Sequence, residues 1–167
     1  MQRTLLTFPK ALLCIILPGY LLDQATKWAV LQNITPYDSI PVIPGFFNLV
    51  HVYNKGAAFG MGSDYPWIFL TLSIVVFTIL LILFFLKKFQ DNSAIVGVSC
   101  FMSGILGNTT DRFLHGHVID FLDFYIGTYH WPAFNVADSL ICIAAAILIF
   151  RPEKKIDVGN RQDTSPL

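Results

Sequence analysis

Two aspartates, Asp120 and Asp138, stand in a stretch of chain where carboxylates are costly. Residues 104–138 read GILGNTTDRFLHGHVIDFLDFYIGTYHWPAFNVAD, with one membrane-like apolar run entering and another leaving. Between the runs lie Asn108, Asp111, Arg112, Asp120, Asp123, Asn135 and Asp138. Ionisable groups at the rim of a bilayer are rare and mark functional sites. Two close carboxylates cannot both ionise, so one keeps its proton while the other stays charged. The charged partner can draw a proton from water and the protonated one can polarise a carbonyl. That is enough chemistry to hydrolyse an amide without a Ser or Cys nucleophile. Asp120 and Asp138 are therefore the candidate catalytic pair.

The elements that must position them follow from composition. The 167 residues are 54% hydrophobic and only 13% charged, where soluble domains carry about 25% charged residues. Net charge is zero, so nothing in the composition pulls toward nucleic acid. Cys14, Cys100 and Cys142 sit in apolar runs without a CxxC pattern and read as small membrane-buried hydrophobes. Four segments, 11–31, 66–86, 94–114 and 132–150, have the ~20 residues a bilayer crossing needs. The first lacks a small-x-small cleavage site and is read as retained. The expected fold is an α-helical polytopic membrane protein, with four transmembrane helices and a small extracytoplasmic β-sheet region between helices 1 and 2.

Orientation follows from the cations. Eight of the eleven Lys and Arg lie on one side: Arg3, Lys10, Lys87, Lys88, Arg151, Lys154, Lys155 and Arg161. Lys27, Lys55 and Arg112 lie on the other. Both termini are predicted to be cytoplasmic. Loops 32–65 and 115–131 then face outward. The run Phe46-Phe47-Asn48-Leu49-Val50-His51-Val52-Tyr53 suits a strand, and 118–126 alternates only imperfectly but is expected to pair with it. Trp67, Trp131, Tyr65 and Tyr129 fall where an outer aromatic belt is expected. Residues 1–151 form one membrane-embedded domain, and 152–167 read as a mobile cytoplasmic tail.

The polar groups converge at one level. Asp138 lies about 9 Å below the outer end of its segment by helix rise, and Asn135 shares its face. Gly97, Gly104, Asn108 and Asp111 recur at helical spacing, a small-residue stripe that admits a neighbouring helix before the polar groups begin. Asp23 and Lys27, four residues apart, read as a structural ion pair. Asp111 and Arg112 read as ties from the third helix to the loops, and Asp123 as an exposed loop acid. His115 and His117 could suggest a metal site, but there is no HExxH and no firm third ligand. No metal or cofactor is expected. A proton-coupled carrier could use the same carboxylates, but the inner half of every helix is apolar and no continuous path is visible. A structural scaffold leaves the polar blocks unexplained.

Five of those blocks carry a resemblance. They are Asp23-Gln24-Ala25-Thr26-Lys27, Asn54-Lys55-Gly56-Ala57-Ala58-Phe59, Gly107-Asn108-Thr109-Thr110-Asp111-Arg112, Gly116-His117-Val118-Ile119-Asp120-Phe121 and Phe134-Asn135-Val136-Ala137-Asp138-Ser139. In order and spacing, over almost the whole chain, they resemble the lipoprotein signal peptidases, the bacterial type II signal peptidases. The resemblance implies an aspartic endopeptidase of the bacterial inner membrane, its active site near the outer face and its catalytic aspartates matching Asp120 and Asp138. It implies that Asn54, Gly56, Asn108, Arg112 and Asn135 shape the site or hold substrate, and that Asp23, Lys27 and Asp111 support it. The implied substrates are diacylglyceryl-prolipoproteins, cut before the lipidated cysteine, with membrane lipids as further partners. The chain is expected to act as a monomer. Tyr53 departs from the family pattern, where arginine is common, as do Thr109 and Thr110, where bulkier apolar residues are common, and Ala144, often glycine. These bear on substrate preference rather than on the chemistry.

Overall fold

The computed structural model describes residues 6–56 and 61–151. The expected tail 152–167, with Lys154, Lys155 and Arg161, lies outside the described residues, as do Arg3 and the Ala57-Ala58-Phe59 block.

The first helical rod has three pieces: α1 (Phe8–Ala11), a π-helical stretch (Leu12–Ile16) and α2 (Leu17–Asn33). Pro18 has no N–H to close a regular turn, and the widened turn absorbs that loss. The Ile16 carbonyl accepts from the Ser103 hydroxyl at 3.0 Å, which ties the rod to its neighbour. The next helix, α3 (Pro66–Phe85), is apolar on every side and largely exposed, as suits a lipid-facing span.

The hub is α4 (Asn92–His115). Asp91 caps its start by accepting from the Ala94 N–H at 2.7 Å. Gly116, at φ +75, lets the chain turn left-handed and end the helix, its N–H returning to the Arg112 carbonyl. The small-residue stripe expected from sequence lies against α5 (Val136–Phe150). A Cβ on Gly104 would strike the Ala137 carbonyl, so only glycine lets the two backbones come this close. Among the described residues, α3 and α4 are long and apolar enough to cross a membrane, and α5 is a shorter apolar helix.

One four-stranded antiparallel sheet caps the bundle, in the order β1 (Ser39–Ile43), β2 (Phe47–Asn54), β3 (Val118–Ile126), β4 (Tyr129–His130). The expected pairing of 118–126 with the first-loop strand is present, and the placement of the sheet between the first two helices alone is corrected. Half its strands come from the loop between α4 and α5, because β2 finds its long partner only in β3. Val30, Ile34, Ile119 and Phe121 form the core beneath it. A second core, including Ala11, Ile16, Phe84, Val98 and Met102, fills the opposite end of the bundle.

Residues 132–135 were expected to open the last helix. They run extended instead, because Phe134 bridges to Leu122 of β3. The helix starts at Val136 with a capping box. The Asn135 side chain accepts from the Asp138 N–H at 2.9 Å, and Asp138 accepts from the Asn135 N–H at 3.2 Å.

Candidate active site

Asp120 and Asp138 reach the same place from different elements. Asp120 is the third residue of β3, 2% exposed. Its Oδ2 accepts from Asn54 Nδ2 on β2 at 2.9 Å, and its Oδ1 from Asn135 Nδ2 at 2.7 Å. Asp138, in the first turn of α5, takes Asn108 Nδ2 from α4 on its Oδ1 at 2.7 Å. Its other oxygen closes the capping box. Asn135 thus holds both carboxyls, one by its side chain and one by its backbone. It is completely buried, so it positions the pair from behind and does not offer itself to a ligand.

Both carboxyls face a cavity of about 1110 Å³ that Asn54, Gly56, Asn108 and Arg112 also line. Its other walls are apolar, from Trp131 and Phe134 to Ile141, Cys142 and Ile143. Burial, then the charge of Asp138, push the Asp120 carboxyl up to about 6, although Asn54, Asn135 and Lys27 pull the other way. Desolvation and a neighbouring carboxyl both disfavour the charged form, which is the direction expected of close carboxyls.

A second polar layer stands behind the first. Lys27 is 2% exposed and meets Asp23 at 2.9 Å, Asp111 at 2.8 Å and the Asn108 Oδ1 at 3.0 Å. The Asp23–Lys27 pair read from sequence is therefore part of a larger knot. Accepting from Lys27 fixes which way the Asn108 amide points, so its NH2 faces Asp138. Asp23 also accepts the Ala137 N–H of α5 at 2.8 Å, and Asp111 accepts the Ile119 N–H of β3 at 3.2 Å. The knot thereby holds the two elements that carry Asp138 and Asp120. Gln24 belongs to it too, donating to Asp111 at 3.0 Å and Asp23 at 3.1 Å. Sequence reading passed over Gln24, although it lies inside a quoted block beside Asp23.

Arg112 does tie α4 to the first loop, donating to the Gly56 carbonyl at 3.0 Å while its guanidinium lies over the Phe69 ring. The Asn54 side chain accepts from the Gly56 N–H at 3.0 Å, which fixes Asn54 for its bond to Asp120. Tyr53 lines the cavity and packs its ring on His117, with centroids 4.1 Å apart. His115 and His117 lie with ring centroids 6.0 Å apart. Among the described residues, no three His, Cys, Asp or Glu side chains gather as a metal site would require.

Asp123 is corrected. Read as an exposed loop acid, it is 6% exposed and takes hydrogen bonds from Asn48 and His130. Asn48 reaches it from β2, 75 residues away, and His130 from β4 across the short hairpin that follows β3.

The chain's likeness to known proteins runs over most of its length. A family model described as signal peptidase (SPase) II matches residues 15–152. The lipoprotein signal peptidase of Alteromonas mediterranea is 45% identical over 151 residues, covering 87% of this chain and 81% of its own. That of Cupriavidus taiwanensis is 46% identical over 147 residues, covering 86% and 82%. A solved structure described as a bacterial membrane enzyme, obtained by the in meso method, superposes with a TM-score of 0.78 at 33% identity, covering 86% of this chain and 87% of that one.

Proposed function

The chain belongs to the signal peptidase II family, and from that premise we propose that it removes signal peptides from diacylglyceryl-modified prolipoproteins, cutting the amide before the lipidated cysteine with Asp120 and Asp138 as the reacting pair. The observation that carries this reading is the shared hold of Asn135 on two carboxyls, from β3 and α5, that open onto one cavity.

The chemistry balances with one water and one carboxyl proton. Ionised Asp138 accepts a proton from water as the oxygen attacks the scissile carbonyl. Protonated Asp120 hydrogen-bonds the carbonyl oxygen, and its raised affinity for the proton suits that role. The tetrahedral species collapses, the C–N bond breaks, and the departing nitrogen takes the proton held by Asp138. The pair returns to one proton and one charge. Asn108, polarised by Lys27, keeps Asp138 aimed. Asn54 keeps Asp120 aimed, and Asn54 and Arg112 offer polar contacts to the substrate backbone. The apolar walls at Ile141 and Ile143 suit the acyl chains.

Four crossings complete the proposal: the rod from Phe8 to Asn33, then α3, α4 and α5. The protein is monomeric in the bacterial inner membrane, with the sheet and cavity at the outer face. Both termini, the 152–167 tail included, are cytoplasmic. The distribution of Lys and Arg supports this orientation. Reporters fused after Phe89 are expected to read cytoplasmic, and reporters inserted at residue 40 outward. The opposite pattern would put the cavity on the wrong side of the membrane for translocated substrate. Purified protein is expected to convert a diacylglyceryl prolipoprotein to the mature form, and a protein that moves protons but leaves the substrate whole would overturn the reading. The carrier alternative draws no support from the relatives.

A further inference from the structure

Asp123 is a buried carboxylate that the proposed chemistry does not use. It follows Asp120 by three positions on β3, an odd step, so it leaves the sheet on the face away from the cavity. A carboxylate is costly there unless partners meet it. Two do. Asn48 on β2 donates its Nδ2 to Oδ2 at 2.9 Å. His130 on β4 donates its Nδ1 N–H across both oxygens, at 2.8 and 3.0 Å. The His130 ring also stacks on Tyr125, 4.8 Å between centroids and 7° from parallel. One carboxylate therefore joins three strands.

Its place in the register gives that junction a consequence. β2 pairs Leu49 with Leu122 and Val52 with Asp120, so β2 spends one residue more than β3 over this step. Beyond such a bulge the facing of each side chain depends on that one extra residue, because a shift by one residue turns every side chain to the other face. Two side-chain bonds bracket it: Asn48 to Asp123 on one side and Asn54 to Asp120 on the other. The hold of His130 then governs the return strand. After β4, the Trp131 N–H donates to the Phe124 carbonyl at 2.8 Å, and Leu122 and Phe134 exchange backbone bonds at 2.8 and 3.1 Å. The next residue is Asn135.

We propose that Asp123, with Asn48 and His130, is a positioning cluster for the reacting pair. It pins the register that aims Asp120 into the cavity and the return strand that delivers Asn135 and Asp138 beside it. This inference rests on the reading of Asp120 and Asp138 as that pair.

The test compares purified full-length wild type with His130→Ala, His130→Asn, Asp123→Asn and the Asp123→Asn/His130→Ala double variant. His130 is half exposed, so its replacement by Ala opens no large cavity in the core. Cleavage of diacylglyceryl prolipoprotein is measured per folded enzyme. His130→Ala is expected to lower kcat by roughly tenfold with KM within about twofold, since misplacement acts on the reacting geometry. His130→Asn, which can donate from nearly the same point, recovers most of the loss. The double variant is no slower than the slower single one, because both break one junction. Hydrogen exchange of residues 131–135 rises in His130→Ala while α4 stays protected. The proposal is overturned if His130→Ala and Asp123→Asn keep kcat within about twofold of wild type, even with lower melting temperatures, because a merely structural role predicts that pattern. If wild type itself fails to cleave, the proposed function falls and exchange alone decides: raised exchange at 131–135 supports the junction, and unchanged exchange removes it.

Discussion

Asp120→Asn and Asp138→Asn are each expected to remove nearly all cleavage, about 10³-fold or more, and the double variant is expected to be hardly slower than either. The reason is the division of labour. One carboxyl must be charged to take the water proton and the other must carry a proton, so losing either partner disables both. Independent contributions would multiply instead. Unfolding is a poor explanation for such a loss at Asp120, because the charged carboxyl is itself under stress. Its affinity for protons rises from the ordinary 3.8 to about 6 on folding. A carboxyl shifted upward stabilises the fold most at low pH, and that contribution is lost as pH rises from about 4 through about 6. At neutral pH the buried charge costs on the order of 2–3 kcal/mol. Removing it offsets the one amide donor, Asn54 or Asn135, that loses its acceptor. Asp120→Asn is therefore expected to melt at or above the wild-type temperature while being inactive. The same group sets the pH profile. The kcat/KM curve is expected to be bell-shaped, its alkaline limb falling near pH 6 as Asp120 loses its proton and its acid limb falling as the pair becomes fully protonated. A rate that rises monotonically through pH 6 to 8 would count against Asp120 as the proton carrier.

Lys27→Met is expected to have the largest effect on stability. The ammonium is buried among two carboxylates and one amide oxygen. Met matches its length and apolar stem but leaves Asp23 and Asp111 uncompensated, a loss of about 3–5 kcal/mol for a broken buried pair. In a chain of this size that corresponds to roughly 10 °C or more in melting temperature. The damage spreads along defined bonds: Asp23 holds the Ala137 N–H at the start of α5, and Asp111 holds the Ile119 N–H at the start of β3. Activity falls with stability because both reacting elements loosen. Adding Asp23→Asn and Asp111→Asn to Lys27→Met restores part of the melting temperature by removing the orphaned charges. If the single variant melts like wild type, the knot contributes nothing to the fold. If the triple variant is no better than the single, the loss comes from packing rather than from charge.

The residues around the cavity were legible in the sequence for one physical reason. A polar group in an apolar run is costly, so Asp23, Lys27, Asn108, Asp111, Asn135 and Asp138 stand out against their surroundings, and helical spacing puts them at one level. The glycine stripe was legible for a related reason, since Gly104 at helical spacing from Asn108 announces a close backbone approach. What could not be read lies in the sheet. Asp123 sits in a run that alternates like any half-buried strand; its partner Asn48 belongs to a strand whose pairing is a long-range matter, and His130 meets it only through the short hairpin from β3 to β4. The bulge between Leu49 and Val52 likewise has no local signature. The start of the last helix was misplaced because Pro132 looks like a first-turn proline. Asn135, three residues on, is a better cap with Asp138 answering it, and the pairing of Phe134 with Leu122 decides between the two.

The most direct test of the two-carboxylate account is to follow a single turnover of diacylglyceryl prolipoprotein by mass spectrometry, with hydroxylamine and EDTA present. Water activated by a carboxylate pair gives a signal peptide ending in a free carboxylate, at an unaltered rate. A peptide hydroxamate would reveal a covalent acyl-enzyme, and loss of cleavage that zinc restores would reveal a metal-bound water. Either result would contradict Asp120 and Asp138 as the pair that activates water.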